Sequence, residues 1–493
     1  EYIQESKQAS DRGIHSRWST NEKTAMEAAL GMSYMGKRAI VCMKHVGLNV
    51  AADAFVNSGM TGANGGLLVF VADDPTMHSS QNEQDSRYYG KFAFLPMLEP
   101  SNQQEAYDVA KYGFELSEKM GIPVLVRMTT RLAHSRAVVN KIPVLAQNEK
   151  SYPKNPRQWV LMPAISRGRY ANLLEDYKEF GKISETTIFN KYIDGANKKM
   201  GIITCGIAYN YLMESYPQGC EYPVLKISQY PLPVELIKRM AKECESIMVM
   251  EEGQPFVEEQ LRGLLDCGEK ILGRLTGELP RMGELNPDHV AKALGKKLPE
   301  GFVQSNVIAV RPPALCPGCG HRDMYDALNA VVRGEFENGR VFSDIGCYTL
   351  GFLPPFRAID SCVDMGASIT MAKGAADAGQ FPSVAVIGDS TFTHSGMTGL
   401  LDAVNAKANI VVVISDNLTT GMTGGQDSAG TGRLEQICTG LGVEPEHIRV
   451  IVPLAKNAEE MKALIREEIA YNGVSVIIPR RECIQTAKRK NKK

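Results

Sequence analysis

The sequence has 493 residues, 44% of them hydrophobic, with 55 Lys and Arg against 56 Asp and Glu for a net charge of −1. That length suits about three domains, the composition excludes a disordered or fibrous chain, and the balanced charge excludes a global field aimed at nucleic acid or an anionic membrane. Eleven scattered cysteines point to a reducing compartment with free or metal-bound thiols. No apolar stretch is long enough to span a bilayer, so a cytoplasmic protein is expected. The first residue is Glu1 rather than Met, which leaves a targeting signal open.

Residues 1–145 alternate helical and strand patterns. NEKTAMEAALGMSYMG sets Ala25, Ala28, Ala29 and Met32 at helical spacing. RAIVCM, GGLLVFVADD and GIPVLVRMT are short apolar strands, and SNQQEAYDVAKYGFELSEKM is a long helix before the last of them. The alternation predicts a parallel sheet with helices on both faces. Residues 146–304 open as a polar, proline-bearing linker with an amphipathic helix in NLLEDYKEFGKISE. KKMGIITCGIAYNYLMES then reads as strand, glycine turn and helix, and SIMVMEEGQP carries another strand. The proline-rich RPPALCPGCGH marks the next boundary. In residues 305–493, PSVAVIGDS and NIVVVISDN are continuous apolar runs, as buried parallel strands should be. GMTGLLDAVNAKA is a crossover helix between them, and GVSVIIPRREC supplies a late strand. The expected architecture is α/β, with three doubly wound parallel-sheet domains. The basic tail from Lys488 to Lys493 reads as a solvated end.

Chemistry in such sheets collects at the carboxyl ends of the strands. Gly388-Asp389-Ser390 ends one strand and Asn417 follows the next, and βαβ geometry sets both loops on one edge. A carboxylate and an amide oxygen there are hard ligands of the kind Mg²⁺ takes while keeping phosphate oxygens in its shell. Gly388 allows close backbone approach, and Ser390, Thr391 and the helix start offer N–H groups to an anion. The plainer alternative makes Asp389 and Ser390 helix caps and Asn417 a turn residue. The Gly- and Thr-dense SDNLTTGMTGGQ favours the anion.

Gly388-Asp389-Ser390 followed by Asn417 resembles the thiamine diphosphate signature, with Ser390 in place of its usual third glycine. GDSTFTHSG, DNLTTGMTGGQ, WSTNEKTAMEAALG, MKHVGLNVAADAF, VADDPTMHSSQNEQDSRYYGKFA and SDIGCYTLG resemble more specifically the large subunit of indolepyruvate ferredoxin oxidoreductase. The matches run over almost the whole chain. They imply a thiamine diphosphate-binding fold, with a pyrimidine-binding domain in 1–145 that lacks the family's glycine- and proline-rich loop near its start. A linker and transketolase C-terminal-like domain would occupy 146–304, and a diphosphate-binding domain 305–493. The resemblance implies that Asp389, Asn417 and the Thr419 carbonyl hold Mg²⁺ on the diphosphate. Gly388, Ser390, Thr391, Met422, Thr423 and Gly366 would then lie against the cofactor. Glu22 matches the glutamate that helps the aminopyrimidine remove the thiazolium proton. Without the resemblance it is a solvated carboxylate near a helix N-terminus, and Glu27 lies one and a half turns on. Lys44 and His45 follow a strand and are candidates to meet the substrate's carboxylate, or else a surface cationic pair.

Cys316-Pro-Gly-Cys319 admits a zinc knuckle, a redox dithiol or a pair of cluster ligands. Its place between segments, away from a strand–helix turn, disfavours the dithiol. A tetrahedral site needs two more ligands; Cys347 and Cys483 are candidates, and Cys438 and Cys362 compete with Cys483. A small buried cysteine is the plain alternative for each. In related 2-oxoacid ferredoxin oxidoreductases CPGCGH begins the thiamine subunit and four cysteines hold a [4Fe–4S] cluster. The resemblance therefore assigns Cys316, Cys319, Cys347 and Cys483 to such a cluster, with zinc as the alternative metal. Relatives usually end in a ferredoxin-like domain with two cysteine-rich runs. This sequence has none, which leaves the electrons to an outside carrier or places that domain beyond Lys493.

The implied function is oxidative decarboxylation of an aryl pyruvate, with coenzyme A, to an acyl-CoA and CO₂. Electrons would pass through the cluster to ferredoxin, in a dimer of heterodimers with a smaller β subunit. A non-oxidative thiamine diphosphate-dependent decarboxylase and a zinc-stabilised non-catalytic subunit are the alternatives.

Overall fold

The apolar runs of the first segment become strands of one sheet: β1 (Ala39–Lys44), β2 (Leu67–Asp73), the short β3 (Met97–Leu98) and β4 (Val124–Thr129). The computed structural model describes every residue except 1–6, 15, 17, 152–157, 266–269, 282, 299–300, 302–304, 310–312, 363 and 491–493. Part of the boundary RPPALCPGCGH, part of the 146–190 linker and the last three residues of the basic tail thus lie outside the described residues. The chain divides into two compact units, residues 1–302 and 303–493.

In the first unit, β1, β2, β4 and β3 pair in parallel in that order. The long helix Gln103–Met120 starts where the Asn102 side chain accepts the Glu105 N–H at 2.9 Å and stops at Gly121, whose φ of 65° ends the helical run. The helix Glu22–Tyr34 is capped by Asn21 and buries Met26, Ala29, Leu30 and Ser33. The alanine-led stripe expected over Ala25, Ala28, Ala29 and Met32 is thus rotated, with Met32 turned out to solvent. The larger Met26 and Leu30 side chains remove more apolar area from water than alanines do, and they set the inward face.

The polar segment is mostly one helix, Pro163–Thr186, which buries Leu173 and Phe180 in the same core. A second sheet follows with β5 (Lys191–Ile193), β6 (Gly201–Cys205) and β7 (Val224–Ile227). Strand β8 (Gln229–Tyr230) crosses back and pairs antiparallel with β3, Met97 opposite Tyr230. β9 (Ile247–Met250) and β10 (Ile271–Leu272) complete the second sheet, in the order β10-β9-β6-β7-β5. A strand from 146–304 thus closes the sheet of 1–145, which is why two sheets belong to one unit.

The second unit carries an all-parallel sheet of β11 (Arg340–Ser343), β12 (Ser361–Cys362), β13 (Ser383–Gly388), β14 (Ile410–Ser415), β15 (Ile448–Ile451) and β16 (Val474–Pro479), in the order β12-β11-β13-β14-β16-β15. Every residue of β13, β14 and β16 is buried, as their unbroken apolar runs require. The helix Met397–Asn405 makes the crossover from β13 to β14. Among the described residues no helix is long and apolar enough to cross a membrane.

Candidate active site

β13 and β14 are neighbours in parallel register, with Gly388 opposite Ser415, so the loops after them share the carboxyl edge of the sheet. Asp389 opens a helical turn after β13 and is 2% exposed, and its Oδ2 has no hydrogen-bond partner among the described residues. Burial, with the Asp416 carboxylate beside it, lifts the Asp389 carboxyl to about 7. Asp416 itself is answered by Arg480, whose Nε lies 2.6 Å away while its other nitrogens take Glu435 at 2.8 and 2.7 Å. The edge therefore presents one buried acid that lacks a cation.

The loop after β14 is held from within. The Asn417 Oδ1 accepts the Thr419 N–H at 3.1 Å, the Thr419 hydroxyl donates to the Gln426 carbonyl at 2.9 Å, and Thr420 N–H reaches the same carbonyl at 2.8 Å. Ser390 and Thr420 share a hydroxyl hydrogen bond of 2.8 Å between the two loops, and the Thr391 hydroxyl donates to Ile345 O at 3.1 Å. Thr423 binds the Gln426 side chain at 2.7 Å, whereas Met422 is exposed. Gly366 precedes the helix Ala367–Asp377 with φ of 99°, where a Cβ would come within 2.5 Å of Ser395 Cβ. At Gly388 the close neighbour is a ring: a Cβ would meet Tyr348 at 2.6 Å. Tyr348 donates its hydroxyl to Asp344, which also takes the Ser368 hydroxyl at 2.6 Å and lies near 6 because burial lifts it. Asp344 thus ties the Gly366 helix start to the ring under Gly388. It was missed from the sequence, although SDIG was quoted for its resemblance.

Cys316, Cys319, Cys347 and Cys483 line a single cavity of about 140 Å³ together with His321 and Asn417. Among the described residues no three His, Cys, Asp or Glu side chains converge to hold a single metal ion. Burial first, then the thiols of Cys483, Cys319 and Cys316, push Cys347 up to about 11. Cys319 is raised by burial and partly relieved by the His321 backbone N–H. His321 is buried with neither ring nitrogen partnered among the described residues, and burial lowers it to about 4. The competing cysteines go elsewhere: Cys438 sits in the apolar core on the helix Leu434–Gly440, and Cys362 is exposed at the end of β12. The cavity and the Asp389 edge are joined by backbone, since Cys483 N–H donates to Asn417 O at 3.0 Å.

In the first unit Glu22 is the first residue of its helix and packs on Gly47, where a Cβ would lie 2.6 Å from the Glu22 carboxylate. Gly47 belongs to the helix His45–Val50 just after β1, so Glu22 reaches the carboxyl edge of its own sheet. Glu27 instead points outward and pairs with Lys23 at 2.9 Å. Lys44 donates to Ser79 O at 2.6 Å and lies 3.6 Å from Asp74. His45 is 1% exposed, with its ring nitrogens 3.4 and 3.3 Å from the carbonyls of Ala72 and Asn82. Of the pair, Lys44 is the more exposed and His45 braces the loop that follows β2.

Behind that edge lies an ionic network the sequence did not disclose. Arg127 on β4 meets Asp73 at 2.6 Å and Glu99 at 2.5 Å, and Arg87 meets Asp85 at 2.5 Å and Glu251 at 2.9 Å. Tyr230 donates to Glu99 at 2.6 Å, and both guanidinium groups reach Glu252 O. All are buried, and burial pushes Glu251 up to about 7 despite Arg87. The network joins the strand ends of both sheets in this unit.

Residues 344–478 match the family described as thiamine pyrophosphate enzyme, C-terminal TPP binding domain. Over 499 residues the chain is 41% identical to the indolepyruvate oxidoreductase subunit IorA of Archaeoglobus fulgidus, covering 95% of this chain and 78% of that one. The chain belongs to the IorA family. The IorA subunits of Methanothermobacter marburgensis and Pyrococcus abyssi are 38% and 37% identical, over 97% and 96% of this chain and 81% and 79% of theirs. Among solved structures, a 2-oxoglutarate:ferredoxin oxidoreductase from Magnetococcus marinus is similar at a TM-score of 0.46 and 13% identity, over 58% of each chain. Within this IorA-family chain the thiamine-binding match opens on Asp344, spans Asp389 and Asn417, and closes in β16.

Proposed function

We propose that the chain is the thiamine diphosphate subunit of an oxidoreductase acting on indolepyruvate-type 2-oxoacids. One 2-oxoacid, one coenzyme A and two oxidised ferredoxins give an acyl-CoA, CO₂, two reduced ferredoxins and a proton. The observation that carries the proposal is the buried Asp389 carboxyl, whose Oδ2 has no hydrogen-bond partner among the described residues, on the same sheet edge as the loop of Asn417 in a member of the IorA family. Bound there, thiamine diphosphate supplies a carbon nucleophile and an electron sink.

The protein's own groups do the holding and the proton handling. Asp389, Asn417 and the Thr419 carbonyl are the oxygen set for Mg²⁺ on the diphosphate, while the helix start at Gly366–Ser368 is closed by Asp344, which accepts the Ser368 N–H at 3.3 Å. Glu22, seated on Gly47, is the carboxylate assigned to the aminopyrimidine. Lys44, whose ammonium rests on the Ser79 carbonyl and Asp74, is the cation proposed to exchange onto the substrate carboxylate. Cys316, Cys319, Cys347 and Cys483 line a cavity with four sulfur donors, a set suited to a [4Fe–4S] cluster, which would hold as thiolates Cys347 and Cys319, the two whose thiols burial raises.

The deciding assay is 2-oxoacid-dependent reduction of a viologen dye by the complex with the smaller β subunit, with and without coenzyme A. Coenzyme A-dependent reduction, faster with aryl pyruvates than with pyruvate, is the expected result. Aldehyde release without dye reduction would replace the proposal with a non-oxidative decarboxylase, and no turnover of any 2-oxoacid would refute both.

A further inference from the structure

We infer that Gln485 sets the reduction potential of the group held by the four cysteines, through an N–H···S hydrogen bond to Cys316; this rests on the cluster reading above. The Gln485 side-chain amide donates to Cys316 Sγ at 3.4 Å, and Gln485 lines the same cavity as the four thiols. The residue lies on the helix Ile484–Lys490, immediately after Cys483. That helix is fixed at both ends. Cys483 N–H donates to Asn417 O at 3.0 Å and Ala487 N–H to Cys483 O at 2.9 Å, while Arg489 Nη1 donates to Gly424 O at 2.7 Å. The amide is therefore held at its sulfur by backbone that also anchors the diphosphate loop. Gln485 is itself solvent-exposed, so it stands at the outer rim of the cavity, and changing it disturbs no core packing.

A coordinating thiolate carries part of the cluster's negative charge, and an N–H donor on it stabilises the reduced, more negative state. Removing the donor makes reduction harder. Glutamate in its place keeps the shape but replaces the donor with a negative charge, so it disfavours the reduced state further. Gln485 touches no substrate and acts only through Cys316, as a positioning residue.

The test is potentiometric titration of the anaerobically loaded chain in complex with its small subunit, followed by the electron paramagnetic resonance of the reduced cluster and by visible absorption. Q485L is expected to change the reduced-to-oxidised ratio at a fixed potential by about threefold to tenfold, about 30–60 mV downward for a one-electron couple. Q485E is expected to move at least as far, both with wild-type iron and sulfide content. Unchanged potentials in both variants, or loss of the cluster from both, would overturn the assignment of Gln485 alone. Wild-type protein that takes up zinc but no iron and labile sulfide would overturn the cluster reading and Gln485's role with it, an outcome read from the wild type before any variant is made.

Discussion

Asp389→Asn removes a charge that the folded protein holds at a cost. Asp389 is 2% exposed with one oxygen unpartnered, and burial beside Asp416 lifts its carboxyl from the ordinary 3.8 to about 7. A lift of that size corresponds to on the order of 4 kcal/mol against the ionised folded state. The sign follows from proton linkage: between about pH 4 and pH 7 the folded protein binds a proton that the unfolded chain has lost, so stability falls as pH rises through that window. Above about pH 7 the full cost is present, and asparagine, which does not ionise, relieves it. Mg²⁺ with thiamine diphosphate should reverse the order. Wild type gains about 2.7 kcal/mol at a ligand concentration of 100 Kd, whereas the variant, deprived of its anionic ligand, gains little. Thermal unfolding at about pH 5.5 and about pH 8, with and without Mg²⁺ and thiamine diphosphate, reads all of this. At about 2–4 °C per kcal/mol for a unit of this size, the cofactor-free variant should melt about 8–16 °C above wild type at the higher pH and by about half as much at the lower, which lies midway through the window. The cofactor should raise wild type only, and more strongly above about pH 7, where no proton has to leave Asp389. A cofactor-free variant no more stable than wild type at about pH 8, or one still stabilised by the cofactor, would refute the reasoning.

Glu22→Gln should leave cofactor binding intact and cut turnover by about two orders of magnitude or more, the general acid–base contribution; normal turnover in the dye assay would return Glu22 to an ordinary helix carboxylate. Arg127→Met should destabilise the first unit by about 3–5 kcal/mol in urea titrations, because Asp73 and Glu99 are left buried without their guanidinium. Burial already raises the Asp73 carboxyl and Arg127 opposes that lift, so its loss raises Asp73 further and the deficit should shrink as pH falls; a deficit that grows at low pH would contradict the ion-pair account.

The parts of the fold that were legible in sequence are those set by local pattern. β13, β14 and β16 are buried over their full lengths, and their apolar runs say so without help. Asn102 and Gly121 bracket their helix by chemistry that acts within a few residues. The loop positions of Asp389 and Asn417 follow from the strands they terminate. The inward face of the helix Glu22–Tyr34 did not follow, because Met26 and the alanines compete for the same core and only the packed neighbours choose between them. Strand β8 was invisible for a similar reason: two residues between the end of β7 and Pro231 carry too little pattern to announce a pairing with Met97–Leu98 far upstream.

The supports of the site were illegible for a deeper reason. Charged residues lie outside as a rule, so nothing in EQDSR or VLVRMT marks Arg87 and Arg127 as fully buried. Asp85 lies two residues from Arg87, but Asp73 and Glu99 are distant in sequence from Arg127, and Glu251 reaches Arg87 from the segment of the second sheet. Asp389 shows the same limit from the other side. Its motif gives a position on the sheet edge, which suits a helix cap as well as a metal ligand. What separates the two roles is its charge balance in space: Asp416 has Arg480 at 2.6 Å, while the buried Oδ2 of Asp389 has nothing. Neighbouring backbone N–H groups and Ser428 reach the Asp389 carboxylate much as they would a cap, so the buried Oδ2 that they leave unpartnered is the one atom on which the proposed Mg²⁺ role rests.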